Sequence, residues 1–111
     1  MKALIVVAHP DDEVLGCGGT IGRLAAEGHE IHIAVLGEGI TSRYDTREEA
    51  DANLLAVHRE RCQRAADMLG AKELHIYAMP DNRFDTVPLL EVAKVVEDLI
   101  SSIGPEVIYT H

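Results

Sequence analysis

Lys2 to Ala8 (KALIVVA) is an unbroken, largely apolar run rich in β-branched residues, the pattern of a strand covered on both faces in a parallel sheet. From Glu13 to Glu27 the spacing becomes helical, with Leu15, Ile21, Leu24 and Ala25 assigned to one face and Gly28 as the stop. His29 to Leu36 repeats the strand pattern. Thr46 and Glu49 have the spacing of a capping box, and the helix they open is expected to run through Leu54, Leu55, Cys62, Ala65 and Leu69 to Gly70. Glu73 to Ala78 predicts a third strand. Asp85 or Thr86 is expected to cap a third helix, with Pro88 in its first turn and Val92, Val96 and Ile100 on its buried side. Gly104-Pro105 ends that helix, and Glu106 to Thr110 predicts a fourth strand. The order βαβαβαβ with right-handed crossovers implies an α/β fold, a Rossmann-like, doubly wound parallel sheet in a three-layer αβα arrangement.

No repeat, low-complexity tract or linker divides residues 1–111, so they are read as a single domain. Ligands of open parallel sheets bind outside the carboxyl ends of the strands, and this sequence stops at such an end. The fold is therefore expected to be incomplete at its C-terminus, the amino-terminal portion of a longer enzyme. Apolar surface left bare there predicts a homo-oligomer.

Charge narrows the partners. Ten basic against 19 acidic side chains give a formal charge of −9, which disfavours nucleic acid and anionic lipid, since both are bound through clustered Lys and Arg. No apolar run approaches the roughly 18 residues of a membrane span, and Ala3 to Ala8 is too short for a signal-peptide core, so the chain reads as cytoplasmic. Cys17 and Cys62, without Cys-x-x-Cys spacing, read as reduced structural thiols.

Chemistry concentrates in Ala8-His9-Pro10-Asp11-Asp12-Glu13, which places one imidazole and three carboxylates between the first strand and the first helix. A helix start favours an anion, which accounts for one Asp as a cap and for Glu13 in the first turn, but not for His9. Pro10 stiffens the turn and pushes His9 into an extended conformation. Imidazole nitrogen and carboxylate oxygen are good zinc ligands, so His9 and one Asp can supply two, leaving the other Asp as general base on a metal-activated water. A polar helix cap without metal is the competing reading.

Ala8 to Glu13, followed by Leu15-Gly-Cys-Gly-Gly-Thr20, resembles the signature of the PIG-L or LmbE-like family of zinc-dependent N-deacetylases. The resemblance continues through Leu36 to Gly39 with Ser42 and Arg43, Met68 to Gly70, and Pro80 to Asp85. It implies His9 and Asp12 as zinc ligands and Asp11 as general base. The implied substrate is a small-molecule acetamido sugar or glycoconjugate, typically N-acetylglucosaminyl, hydrolysed to amine and acetate. The family takes its third zinc ligand from an Asp-His pair after the fourth strand; His111 resembles the opening of that segment rather than its ligand. The alternative is an inactive α/β module of the same fold that lacks this third ligand.

Elsewhere, Gly16, Gly18 and Gly19 suggest close helix-to-sheet packing rather than a nucleotide loop, because three neighbouring carboxylates would repel a pyrophosphate. Arg43, in the polar segment after the second strand, is a candidate for a substrate hydroxyl or phosphate. Relatives carry a sugar-contacting arginine near the start of the second helix, and His58 and Arg59 are the nearest candidates. His29, His32 and His75 are expected to be structural or surface residues away from the site. Asp81, Asn82 and Asp85 follow the third strand and are either pocket residues or an Asx-rich turn.

Overall fold

A computed structural model of the chain describes residues 1–37, 52–79 and 86–111. Strands β1 (Lys2–Val7), β2 (Glu30–Gly37), β3 (Glu73–Met79) and β4 (Val107–Thr110) alternate with helices α1 (Asp12–Ala26), α2 (Ala52–Leu69) and α3 (Leu89–Ile103). The strands form one parallel sheet in the order β3-β2-β1-β4. The α/β reading and the positions of all four strands agree with the hydrophobic pattern to within one residue at each end.

Alternation along β1 and β2 sends successive side chains to opposite faces, and each face has its own core. Ala3, Ile5, Val7, Ile31, Ile33 and Val35 pack with Ile21 of α1 and Ala66 of α2. Leu4, Val6, Ala34 and Leu36 pack on the other face with Leu99 and Ile103 of α3. The result is the expected three-layer arrangement. Leu4, Ile5, Ile21, Ile31, Ile33 and Val35 are fully buried, and each such side chain contributes roughly 1.5–3 kcal/mol of transfer free energy.

Three helix assignments need correction. Leu15 is 81% exposed, because it lies six residues before Ile21 and so roughly 120° around the helix from it. Ile100 is 38% exposed while Leu99 and Ile103 are buried, so the seam of α3 runs roughly 80° from where Ile100 points. Pro88 is the N-cap residue of α3 rather than part of its first turn, its carbonyl accepting from the Glu91 N–H at 2.9 Å. The capping box at Thr46–Glu49, Asp85 and the start of α2 before Ala52 lie outside the described residues.

Gly28 and Gly70 end their helices as expected. Gly70 N–H donates to Asp67 O and Ala71 N–H to Ala66 O, a left-handed cap that satisfies the last carbonyls of α2. The φ of Gly70 is +84°, and a Cβ there would lie 2.8 Å from Ala25 Cβ, whereas Gly28 (φ +88°) has open space around it. Gly70→Ala should therefore lose about 2 kcal/mol, left-handed strain plus overpacking, and Gly28→Ala only about 1. Urea unfolding of the two variants checks this, and equal losses would remove the packing argument.

β1, β2 and β3 step one way across the sheet, and β4 returns to the opposite side of β1. The crevice at the carboxyl ends of β1 and β4 is thus the topological switch point, where open α/β sheets place their ligands. Among the described residues no helix is long and apolar enough to cross a membrane.

Candidate active and metal site

The segment after β1 turns sharply at the switch point. Asp11 has φ +94°, the one non-glycine residue in the left-handed region among those described, a conformation that costs about 1–2 kcal/mol. Two carboxylates hold the turn. Asp12 Oδ2 accepts from the His9 N–H at 3.1 Å, and Glu13 Oε2 accepts from the Asp11 N–H at 3.0 Å. The Ala8 carbonyl accepts from Gly37 N–H at 2.9 Å, which ties the turn to β2.

Asp11 is the N-cap residue of α1 but makes no side-chain cap hydrogen bond. The expected capping Asp is therefore absent in that form. Asp12 reaches back instead, while Asp12 and Glu13 both lie in the first turn, where the helix dipole favours negative charge. Asp11 is left with a side chain that the helix start does not use.

His9 and Asp12 come together as expected, with Nδ1 to Oδ2 at 3.6 Å and both side chains about one-third exposed. A third ligand-type group joins them. His111, just past β4, brings Nε2 to 3.5 Å from the same Asp12 oxygen. That nitrogen also accepts the Ala8 N–H at 3.1 Å, so its lone pair is engaged by the backbone of the turn, and Thr110 Oγ1 donates to Val6 O at 2.8 Å, fastening this end of β4 to β1. Imidazole nitrogen and carboxylate oxygen are donor types that divalent zinc takes, and His9 and Asp12 supply one of each.

Beside the turn lies a cavity of about 200 Å³ lined by Pro10, Asp11, Glu13, His58, Arg61 and Cys62 among others. Glu13 is 3% exposed; burial raises its carboxyl above the ordinary value, against the backbone N–H bonds that lower it. Burial, then the Glu13 and Asp11 charges, push the Cys62 thiol up to about 11. Cys62 is thus a protonated wall of the cavity and no nucleophile. Cys17 and Cys62 are both free thiols, as expected.

Arg59 is exposed on α2 and does not line this cavity, whereas its neighbour His58 and Arg61 do. The signal for this face was present in the spacing of residues 58, 61, 62 and 65, a helical stripe. The contact of His111 with Asp12 and the anchoring role of Glu13 escaped the sequence reading. Arg43, Asp81, Asn82 and Asp85 lie outside the described residues. His32, Glu73 and His75 form a separate group of ligand-type side chains at the opposite edge of the sheet.

Known proteins share this architecture. Diacetylchitobiose deacetylase of Thermococcus kodakarensis is 32% identical over 108 residues, which span 96% of this chain and 39% of that protein. The solved structure of N,N'-diacetylchitobiose deacetylase from Pyrococcus horikoshii superposes with a TM-score of 0.81 at 27% identity, over 96% of this chain and 39% of that one. That of 4-carboxy-2-hydroxymuconate hydratase from Pseudomonas putida superposes with a TM-score of 0.76 at 26% identity, over 96% of this chain and 45% of that one. The chain thus spans about two-fifths of the length of the curated relative. Residues 4–111 match the family described as PIG-L, GlcNAc-PI de-N-acetylase, and the chain belongs to that family.

Proposed function

We propose that this chain forms the amino-terminal part of a zinc-dependent hydrolase that removes the acetyl group from an N-acetylglucosamine-type acetamido sugar or glycoconjugate. The observation that carries the reading is the meeting of His9 and Asp12 at the switch point, next to Asp11, whose side chain makes no cap hydrogen bond. The deacetylases among the relatives favour catalysis over an inactive module of the same fold.

His9 and Asp12 would hold the metal, with His111 beside them. When bound, zinc would supply a Lewis acid for the amide carbonyl and for the attacking water. Asp11 accepts a proton from that water as its oxygen bonds to the carbonyl carbon. The carbon–nitrogen bond then breaks, the proton passes from Asp11 to the departing nitrogen, and acetate and a free amine remain. His58 and Arg61 line the cavity beside the turn and would meet sugar hydroxyls there, with Arg59 and Arg43 as further substrate-binding residues. A cytoplasmic setting is supported by the free cysteines.

A second reading, addition of water to a carbon–carbon double bond, is favoured by the likeness to the hydratase. Acetate release from diacetylchitobiose by the purified protein supports deacetylation. Hydration of an unsaturated tricarboxylate without acetate release supports the second reading.

Metal removal gives an independent check. His9→Ala combined with Asp12→Asn is expected to weaken zinc binding at this site by more than about 10²-fold, since two direct ligands outweigh an outer-sphere change worth 10–100-fold. Equilibrium dialysis with elemental analysis measures it, and affinity unchanged at every site would sink the assignment.

A further inference from the structure

At the edge of the sheet opposite the catalytic turn, His32 of β2 pairs in register with Glu73 of β3, and Ala34 with His75. All three side chains project from the face that carries Leu4 and Ala34, the face covered by α3. His32 is 5% exposed. Its Nε2 lies 2.8 Å from Glu30 Oε1, and Glu30 in turn pairs with Lys72 at 3.0 Å. A neutral His32 that donates from Nε2 to Glu30 leaves its Nδ1 as an acceptor.

Both rings turn a nitrogen toward one carboxylate oxygen. His32 Nδ1 is 3.5 Å from Glu73 Oε2, and His75 Nε2 is 3.6 Å from the same oxygen. Neither ring nitrogen has a hydrogen-bond partner although both atoms are buried. Buried ring nitrogens that face a carboxylate oxygen without a hydrogen bond are unfavourable unless a cation lies between them. The three ligand atoms fall within 4.8 Å of one another, and two ligands of one tetrahedral zinc lie about 3.4 Å apart when each bond is about 2.1 Å.

We propose that His32, Glu73 and His75 form a second divalent transition-metal site, with zinc as its ion, that clamps the edge strand β3 to β2. Two imidazoles and one carboxylate are a zinc donor set, and Glu30 orients His32 as an outer-sphere carboxylate orients a metal-bound histidine. Glu73 is 57% exposed, which leaves room for a water as fourth ligand. The site is structural: nothing in it touches the catalytic turn, and it stands whether or not the deacetylase reading does.

The test uses His9→Ala with Asp12→Asn, which removes the catalytic donors. This double variant is expected to retain about one zinc equivalent and a zinc-dependent rise in Tm, because an ion bound to the folded state stabilises it by mass action. Adding Glu73→Gln or His75→Gln, both partly exposed and tolerable to the fold, should remove that equivalent and the rise in Tm. Glu30→Gln should weaken binding by about 10–100-fold. A folded double variant that binds no zinc overturns the proposal, as does binding that survives Glu73→Gln and His75→Gln. Two protons on the His32 ring in the zinc-saturated protein, read by nitrogen NMR, would show that a proton fills the gap and would overturn it equally.

Discussion

Asp11→Asn is expected to lower acetate release from an acetamido sugar by about 10²- to 10⁴-fold, the range associated with loss of a general base. The fold should hardly notice. Asparagine has nearly the same size and tolerates the left-handed region at least as well as aspartate, so φ +94° survives the change. The Asp11 carboxylate makes no cap hydrogen bond that the helix would lose. Asp11→Gly sharpens the contrast, because glycine relieves the left-handed strain and should raise stability by about 1 kcal/mol while activity falls as far. Acetate release and thermal unfolding on the same samples check both halves. An Asp11→Asn protein with full activity would leave the base role without a holder, and one that is inactive because it unfolds would place Asp11 in the framework instead.

The fold was legible because its strongest signals are local and repeated. KALIVVA and the run from His29 to Leu36 are apolar throughout, as only strands covered on both faces can be, and Gly28, Gly70 and Gly104 mark the helix ends where they do occur. The errors came where one period was counted without its phase. Leu15 and Ile100 are apolar and fall inside their helices, yet stand off the buried seam. At the site, His9, Asp11 and Asp12 were legible because the chemistry sits in six consecutive residues. His111 was not, since its contact with Asp12 depends on β4 lying beside β1, a fact of topology rather than of spacing. The His32, Glu73 and His75 group was read as structural or surface histidine for the same reason: two strands must be aligned in register before their side chains meet.

Glu13 shows how a buried charge can serve a strained turn. Glu13→Ala leaves the Asp11 N–H without its acceptor and opens a void against Cys62. The loss should be about 3 kcal/mol, part unsatisfied donor and part cavity. Activity should fall by about 10²-fold, because the left-handed turn that presents Asp11 is released. Glu13→Gln keeps the acceptor oxygen and the shape, so it should retain most of the activity and separate positioning from charge. Its effect on stability depends on pH. In the metal-free protein burial holds the Glu13 carboxyl above 4.5, so folding favours the protonated form. That contribution is fully present below 4.5 and is lost as pH rises through the higher folded value. Glutamine carries no such loss. The stability of Glu13→Gln relative to the parent should therefore grow as pH rises from 4.5 through the raised folded value and then level off. Urea unfolding of the two proteins in the presence of chelator measures it. A relative stability that instead declines with pH would mean that the ionised Glu13 carboxylate strengthens the folded turn, with its bond to the Asp11 N–H outweighing its burial.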